Sequence, residues 1–392
     1  MKTLLVIFGI TGDLSTRKLL PALSNILKNS EAMNLDILGV SRREVDVDRL
    51  VLDSTGNQEL AAITDIFSMD VAEAKDYQKL KETIATYKSD QTLIYLSVPP
   101  GASARIVDFL GEAGINTPGT HLLFEKPFGF DLASAQDFMD RIRRHFTEAQ
   151  SYRIDHYMAK EVAAELLRQR TNADTHHHHW GASTVKSVLI VASEKIGIEG
   201  RAQFYEQTGA LRDFIQGHLM QLLSLVLMHR PTIDTELPAQ RLKALQLLAP
   251  ADPAKAVRGQ YEGYQEEVQN PGSMVETYVS LQLESNDPNW KGVGIRLVTG
   301  KALHEKRSYI EVAYTDGRMD VFEEGKVPVA PGMRQLDAYE RVLLEAIAGR
   351  RELFTSSGEV LRSWEILAPI QDAWNMGNGE LFYYPVGTSK LG

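Results

Sequence analysis

Short apolar runs alternate with amphipathic stretches over the first 150 residues. Residues 4–8 are continuously apolar and end at Gly9, and residues 14–27 then repeat their apolar positions at helical spacing. Further apolar runs follow at 35–40, 93–98 and 121–124. Because fully apolar strands separated by helices are typical of parallel sheets covered on both faces, we predict a Rossmann-like, doubly wound α/β domain.

The pattern changes after about residue 155. Helical spacing at 159–170 and 209–228 is interleaved with alternating apolar and polar positions at 187–193, 275–283 and 293–298, which predict strands with one solvated face. This half therefore indicates an α+β domain with a large antiparallel sheet, and residues 337–347 predict a docking helix that stops at Gly349. We expect two domains, at residues 1–155 and 156–392.

Composition narrows the class of protein. The 392 residues carry a net charge of −10 and no cysteine. The negative charge opposes nonspecific binding to nucleic acid or anionic membranes, and no apolar run approaches the roughly 20 residues that span a bilayer. The lack of cysteine removes disulfides and thiolate chemistry, so we expect a cytoplasmic protein with neither nucleic acid nor membrane as partner. Any phosphate it binds must then meet a local cluster of cations.

A glycine turn follows the first predicted strand. Residues 9–14, GITGDL, lie between that strand and the first helix, where backbone N–H groups and the positive helix end attract a pyrophosphate. The spacing is G-x-x-G, which alone is little better than an ordinary strand–helix turn. The position favours a dinucleotide site, with the candidate residues Gly9, Thr11, Gly12, Asp13 and Leu14.

The end of the second strand bears on the choice of coenzyme. An enzyme that uses NAD usually presents an acid there to the ribose hydroxyls, whereas this chain has Arg42 and Arg43. Guanidinium groups suit a phosphomonoester, so NADP is favoured and Arg42 is a candidate ligand of its extra phosphate. A solvated loop without coenzyme contact is the alternative, and use of NAD stays open.

Residues 153–161, RIDHYMAKE, place a carboxylate, an imidazole, a phenol and an ammonium within six positions. Donors from His156, Tyr157 and Lys160 suit a phosphate dianion, while Asp155 suits the orientation of an imidazole base. Asp155 and His156 point to opposite sides if the strand continues through them. A strand end with a surface salt-bridge network is the alternative interpretation.

His218 and His156 are both candidates for the base that takes a hydroxyl proton during hydride transfer, because neutral imidazole suits that role near pH 7. His218 lies on a predicted helix whose other face is apolar, where a lone histidine is more often a satisfied core residue. Asp213 precedes it by five positions, about 140° around an α-helix at ~100° per residue. The two side chains should therefore diverge, as they would if they flanked a ligand.

The histidine run at 176–179 does not predict a metal site. Consecutive histidines do not converge on one ion as helical i, i+4 pairs do. A polar surface loop is the interpretation, and no metal is assigned.

Several ordered motifs resemble the glucose-6-phosphate dehydrogenase family. The turn at 9–14 with Arg17-Lys18-Leu19 looks like its coenzyme turn, residues 125–129 are its EKPFG, and residues 153–161 are similar to its RIDHYLGKE. Residues 194–218 resemble its E-x-x-G-x-E-G-R segment followed by RDxxQNH, and residues 300–306 resemble its GKxLxxK/R. The resemblance extends from the first strand nearly to the C-terminus.

This resemblance implies an NADP-dependent glucose-6-phosphate 1-dehydrogenase, in which the first domain binds the coenzyme and the second serves substrate binding and dimerisation. It implies that glucose 6-phosphate becomes a 6-phosphogluconolactone without metal or flavin. It makes His218 the general base, Asp155 the carboxylate that orients it, and Lys126 a bridge between coenzyme and substrate. The other implied substrate ligands are His156, Tyr157, Lys160 and Lys306 for the phosphate, and Glu194, Asp213 and Lys301 for the sugar.

The chain also departs from the family's pattern. It is compressed before the strand at Ser187, and it is shortened between Tyr314 and Asp337, where the family carries sheet that helps to form its dimer. A homodimer is therefore implied but left open. Gly217 stands where the family has Asn beside the base. A dehydrogenase of another hexose 6-phosphate, such as an amino sugar, is one alternative function, and a noncatalytic sugar-phosphate or nucleotide regulator is another.

Overall fold

The computed structural model of the chain describes residues 1–29, 33–172, 179–229, 237–327 and 334–389. The chain divides into two compact units. The first unit is made of Met1–Phe128, Gln136–Ala159 and Arg334–Ser357, and the second of Gly129–Ala135, Lys160–Met333 and Gly358–Gly392. The units interleave along the sequence and so define no single boundary, and the division expected at residue 155 stays a prediction.

The amino-terminal elements alternate strand and helix, as the apolar runs predict. In chain order they are β1 (Thr3–Phe8), α1 (Leu20–Asn29), β2 (Leu35–Ser41), α2 (Val47–Thr55), α3 (Gln58–Ala62), β3 (Thr64–Ser68), α4 (Ala74–Thr86), β4 (Gln91–Leu96), α5 (Pro100–Glu112), β5 (Thr120–Phe124), α6 (Leu132–His145) and β6 (Ser151–Arg153). A π-helix, Ser15–Leu19, precedes α1. Side-chain caps fix two helix starts, because Asp46 accepts from the Arg49 N–H and Asn57 from the Leu60 N–H.

The later elements mix helices with longer strands. They are α7 (Glu161–Thr171), β7 (Val185–Ser193), α8 (Ala202–Ala210), α9 (Met220–Leu227), α10 (Leu237–Gln246), β8 (Ala256–Tyr261), α11 (Tyr264–Glu267), β9 (Tyr278–Leu283), β10 (Gly294–Gly300), β11 (Arg307–Tyr314), β12 (Met319–Glu323), α12 (Ala338–Ile347), α13 (Ser357–Asn375) and β13 (Leu381–Tyr384). A second π-helix, Leu211–Leu219, lies between α8 and α9. No helix among the described residues is both long and apolar enough to cross a membrane.

Six strands form a parallel sheet in the order β3-β2-β1-β4-β5-β6. Every residue of β1 and β4 is buried, because helices cover both faces of the sheet. On one face Leu5 and Ile7 belong to the same apolar core as Leu343 of α12. On the other face the ring of Phe8 stacks on Tyr77 of α4 at 6.3 Å. The predicted doubly wound sheet is confirmed.

Seven strands form a second sheet in the order β12-β11-β7-β10-β9-β8-β13. The sheet is mixed rather than antiparallel, because β10 pairs with β7 and β13 pairs with β8 in parallel, while the other four pairings are antiparallel. Buried and less buried positions alternate along β11, as expected for a strand with one solvated face. The expected α+β architecture is confirmed, with this correction to its strand directions.

The helix predicted at 209–228 forms in a different way from the expected α-helix. Leu211–Leu219 is a π-helix with i→i+5 hydrogen bonds, and it is followed by the α-helical Met220–Leu227. Just before it, Gly209 has φ 60° and ψ −178°, a backbone conformation essentially restricted to glycine. The chain therefore enters this helix through a sharp break at Gly209.

Candidate active site

The glycine turn after β1 lies at the point where the order of strands in the first sheet reverses. β1 pairs with β2 on one side and with β4 on the other. Gly9 has φ 76°, and a Cβ there would collide with the backbone carbonyl of Ser97 at the end of β4. The Ser15 hydroxyl donates to the Gly9 carbonyl at 2.9 Å and fixes the turn to the helix that follows. Dinucleotides bind at such a reversal point in doubly wound sheets.

The other predicted coenzyme residues surround this turn and its neighbour strand. Asp13 is exposed and pairs with Arg17 at 2.7 Å, one turn further along the helix. Arg42 is exposed and directly follows β2, whose carboxyl end lies beside that of β1. The placement of Arg42 is that of a residue at the ribose end of a dinucleotide site. Thr11 and Gly12 lie within the turn itself, and Leu14 has helical backbone angles directly before the π-helix.

The carboxyl ends of β5 and β6 bring Lys126 and Asp155 close to each other in the first unit. The two strands pair in parallel, and the Ile154 N–H donates to the Phe124 carbonyl at 2.9 Å. Lys126 follows β5, and Asp155 follows β6 with 2% exposure. Both charges act on the carboxyl group of Glu125, where Lys126 lowers the pKa and Asp155 raises it.

Glu125 itself is a member of this cluster that the sequence analysis did not single out. The buried phenol of Tyr95 in β4 donates a hydrogen bond to its carboxylate. Burial raises the pKa of Glu125 to about 7, and the hydrogen bond from Tyr95 opposes that rise. The only sequence signal was its place as the first residue of the EKPFG motif.

Residues 155–159 form turns, because β6 ends at Arg153 instead of continuing through the motif. The Asp155 carboxylate accepts the Tyr157 N–H at 2.9 Å, which closes the first turn. The rings of His156 and Tyr157 are 5.1 Å apart and tilted by 59°. The opposite orientation expected of neighbouring strand residues therefore does not apply to Asp155 and His156.

In the second unit, Lys301 and Glu194 form an ion pair at the ends of two paired strands. β7 pairs with β10 so that Ser193 lies opposite Gly300, which places the next residue of each strand side by side. Lys301 is 2% exposed, and its ammonium lies 5.3 Å from the Tyr205 ring and 5.7 Å from the Phe214 ring. Such a buried ammonium depends on its carboxylate partner.

Asp213 and His218 lie on the π-helix, and the expected divergence of about 140° between them is wrong. In an i→i+5 helix, residues five apart lie roughly one turn apart and share a similar face. His218 is 3% exposed and its ring packs edge-on against Phe214 at 5.5 Å. Asp213 lies close enough to the buried Tyr205 for its charge, after burial itself, to raise the pKa of that phenol.

Tyr205 therefore marks a cluster in the second unit. The charges of Asp213 and Glu194 both act on its phenol, and Lys301 lies over its ring. Sequence reasoning identified the three charged residues but not Tyr205. The structure brings together these predicted sugar residues within one unit.

Lys160 and Lys306 both belong to the second unit. Lys160 precedes α7, and its ammonium is 3.0 Å from the Glu324 carboxylate that follows β12. Lys306 is exposed and directly precedes β11. Of the histidine run, residues 176–178 lie outside the described residues, while the side chain of His179 is exposed.

A six-stranded parallel sheet in this order, with a glycine turn at its reversal point, defines the class of Rossmann-type nucleotide-binding proteins. The model of the family "Glucose-6-phosphate dehydrogenase, NAD binding domain" matches residues 6–164, and that of "Glucose-6-phosphate dehydrogenase, C-terminal domain" matches residues 167–332 and 328–390. The chain belongs to the glucose-6-phosphate dehydrogenase family, which is a family of oxidoreductases.

Relatives and solved structures agree over nearly the whole chain. The chain is 31% identical to the glucose-6-phosphate 1-dehydrogenase of Chlamydia muridarum, covering 95% of this chain and 90% of that one, and 31% identical to that of Dickeya dadantii, covering 98% and 94%. It is similar to a glucose-6-phosphate dehydrogenase solved in complex with its substrate glucose-6-phosphate, with a TM-score of 0.91, 25% identity and coverage of 100% and 95%. It is also similar to the solved glucose-6-phosphate 1-dehydrogenase from Mycobacterium avium, with a TM-score of 0.86 and 30% identity, covering 99% of this chain and 94% of that one.

Proposed function

We propose that the protein is an NADP-dependent glucose-6-phosphate 1-dehydrogenase. It oxidises the C1 hydroxyl of glucose 6-phosphate to 6-phosphogluconolactone and transfers the hydride to NADP. One observation carries this proposal: the chain matches, over its full length and at a TM-score of 0.91, a relative described as bound to glucose 6-phosphate as its substrate. The fold contributes the coenzyme turn that such a hydride transfer requires.

In the proposed reaction, His218 is the general base. Its neutral imidazole takes the proton of the C1 hydroxyl as the C1–H bond breaks and the hydride leaves for the nicotinamide, so that C1 becomes the lactone carbonyl. Asp155 orients the imidazole and stabilises the positive charge that develops on it. Lys126 bridges coenzyme and substrate. The burial of His218 and Asp155 supports these roles, because a base needs a defined position.

The substrate phosphate is assigned to His156, Tyr157, Lys160 and Lys306, and the sugar to Glu194, Asp213 and Lys301. The cationic side chains and the phenol among the proposed phosphate ligands suit a phosphate dianion, because they supply local positive charge and donors on a protein with a net charge of −10. The ion pair between Lys301 and Glu194 supports the sugar assignment, since it holds a donor and an acceptor in fixed positions. Both groups suit the hydroxyls of a hexose.

The coenzyme is assigned to Gly9, Thr11, Gly12, Asp13, Leu14, Arg42 and Lys126. Arg42 supports NADP over NAD, because a guanidinium after β2 attracts the extra phosphate that a carboxylate would repel. We expect NAD to be accepted less well. A cytoplasmic location and a homodimer belong to the same proposal, and sedimentation equilibrium of the purified protein tests the homodimer.

Reduction of the nicotinamide by the purified protein tests the proposed reaction. Glucose 6-phosphate is supplied with NADP and with NAD in parallel, and glucose and glucosamine 6-phosphate serve as comparison substrates. We expect turnover that requires the phosphate and prefers glucose 6-phosphate and NADP. Faster turnover of glucosamine 6-phosphate would replace the substrate assignment, and binding of both ligands without turnover would indicate a regulator instead of an enzyme.

A further inference from the structure

A cavity of about 350 Å³ lies in the second unit, and neither Lys301 nor Glu194 lines it. Its walls are the end of α8 and the first turn of the π-helix, β8, residues 274–276 and the end of α13. The lining includes two arginines, Arg212 and Arg258, and the indole of Trp374. None of the residues assigned above to coenzyme or substrate lines it.

Arg258 is the most buried cation of this cavity, with 3% exposure. One terminal nitrogen donates to the carbonyl oxygens of Asn378 at 3.4 Å and Gly379 at 3.0 Å, and the guanidinium lies 5.2 Å from the centre of the Trp374 ring. Its Nε is buried and has no hydrogen-bond partner among the described residues. A buried guanidinium N–H without an acceptor is unfavourable, so an oxyanion in the cavity would stabilise it.

Arg212 is held on the opposite wall by the backbone. Its Nε donates to the Phe130 carbonyl at 2.9 Å, and the amide of Gln371, which is 5% exposed, donates to the same carbonyl at 3.2 Å. Only Nε of the guanidinium is used in this contact, and Arg212 also lines the cavity. Two arginines fixed in this way suit bidentate recognition of a planar carboxylate.

The charged side chains that line the cavity determine which ligand charge the cavity favours. Besides the two arginines, the lining contains Glu206 and Glu276. Although burial opposes it, hydrogen bonds from Tyr264, Asn270 and Ser273 keep the pKa of Glu206 low, so this group is ionised. Glu276 is 5% exposed, and burial raises its pKa, although the Leu211 N–H, Arg212 and Arg258 oppose that rise. When Glu276 is ionised, the charges of the lining balance; uptake of one proton by Glu276 leaves two positive charges and one negative charge, which suits a ligand with a single negative charge.

We propose that this cavity binds a small monocarboxylate, which Arg212 and Arg258 hold and which enters together with one proton that goes to Glu276. The same carboxyl group of Glu276 accepts the Leu211 N–H at 2.9 Å at the start of the π-helix that carries Asp213 and His218. Protonation weakens that acceptor and loosens the helix start. Occupancy of the cavity therefore lowers kcat of the proposed reaction, while the binding itself does not depend on that reaction.

Calorimetric titration of the purified full-length protein tests the site. Acetate and benzoate are the monocarboxylate probes, succinate and sulfate are the dianionic ones, and saturating glucose 6-phosphate without coenzyme occupies the proposed substrate site. We expect a monocarboxylate to bind more tightly than either dianion, with affinity that rises by up to about tenfold per pH unit as pH falls. No binding, or tighter binding of a dianion, overturns the proposal.

Variants assign the binding to the cavity. Arg258→Met and Arg212→Met should each weaken the monocarboxylate by at least about tenfold, whereas Arg318→Met should not, since Arg318 is an exposed arginine paired with Asp316. Glu276→Gln should bind without the pH dependence, because it keeps an acceptor for Leu211 but takes up no proton. Equal loss in Arg318→Met, or unchanged binding in Arg212→Met, places the ligand elsewhere and overturns the assignment. These titrations need no turnover, so they remain decisive even if the proposed reaction is not found.

Discussion

Burial makes His218 a demanding position for a titratable side chain. It is 3% exposed and packs edge-on against Phe214, so its imidazole is held in a defined position, as a general base requires. We expect His218→Asn to lower kcat by about 10² to 10⁴, the range for loss of general-base catalysis, with little change in KM for glucose 6-phosphate. Steady-state kinetics of the purified variant measures both quantities.

His145→Asn is the matched control for this substitution. His145 is 21% exposed and lies beside Asp108 in the first unit, and it belongs to neither proposed ligand set. Its replacement should leave kcat unchanged. Full turnover by His218→Asn would transfer the role of base to another group, with His156 next in line.

Lys160 lies in an ion pair that competes with its proposed role. Its ammonium is 3.0 Å from the Glu324 carboxylate, in a partly exposed position where such a pair is worth little. We expect Lys160→Ala to raise KM for glucose 6-phosphate with a smaller effect on kcat, because it removes a phosphate ligand. Glu324→Gln should lower KM by roughly twofold to fivefold, since it releases the ammonium for the phosphate.

Lys160→Ala and Glu324→Gln should therefore change KM in opposite directions. Arg168→Ala, which removes an exposed partner of Glu165 on the adjacent α7, controls for a general loss of positive charge and should leave KM unchanged. If Lys160→Ala and Glu324→Gln shifted KM in the same direction, the pair would be structural and the phosphate assignment would be wrong.

Among residues, the motifs revealed the charged members of the site but not their neighbours. Asp155, His218 and Lys301 could be recognised because their residue types are rare inside apolar patterns and stand in ordered motifs. Tyr205 could not be recognised, because its role depends on the pairing of β7 with β10, two strands that lie about 100 positions apart in the sequence. Glu125 likewise acquires its character from burial beside Tyr95 of β4.

Among elements, the first sheet was predictable and the π-helix was not. β1 and β4 are buried throughout, so their apolar runs were visible in the sequence. β6 has only three residues, too few for any period. The pattern at 209–228 is helical, but apolar spacing does not distinguish i→i+4 from i→i+5 hydrogen bonding. For this reason the angle between Asp213 and His218 was predicted wrongly.

The break before the π-helix sets where that helix begins. Gly209 has φ 60° and ψ −178°, and a Cβ there would collide with the buried Glu276 carboxylate. We expect Gly209→Ala to destabilise the fold by about 2 to 4 kcal/mol, from backbone strain plus the collision. It should also lower kcat, because a displaced helix start moves His218. Chemical denaturation and steady-state kinetics measure the two effects.

Gly56 provides the comparison for this prediction. It has a similar φ of 64° at the end of α2, but no atom lies within 4 Å of the position that a Cβ would take. Gly56→Ala should therefore cost only about 1 kcal/mol and leave kcat intact. Equal costs at the two positions would mean that neither the ψ of −178° at Gly209 nor its contact with Glu276 adds to the cost of a positive φ.

At the scale of the whole molecule, the free energy of unfolding should depend on pH through Glu125. Its pKa is about 7 in the folded chain, above its ordinary value of 4.5, chiefly because of burial. Between these two values the folded state holds a proton that the unfolded state has released. Stability from this group is therefore greatest below about pH 4.5, falls as pH rises towards 7, and stays low above it. The loss is on the order of 3 kcal/mol.

Glu125→Gln removes this dependence, because an amide is neutral in both states and still accepts from the Tyr95 hydroxyl. Denaturation at pH 5 to 8 should show the variant gaining stability over the native protein as pH rises, with the difference levelling off above pH 7. Tyr95→Phe should move that plateau to higher pH, since the hydrogen bond from Tyr95 lowers the pKa of Glu125. Glu112→Gln, at an exposed position of α5, should leave the pH profile as it is. A constant difference between Glu125→Gln and the native protein from pH 5 to 8 would show that Glu125 is already ionised at pH 5 and that burial does not control it.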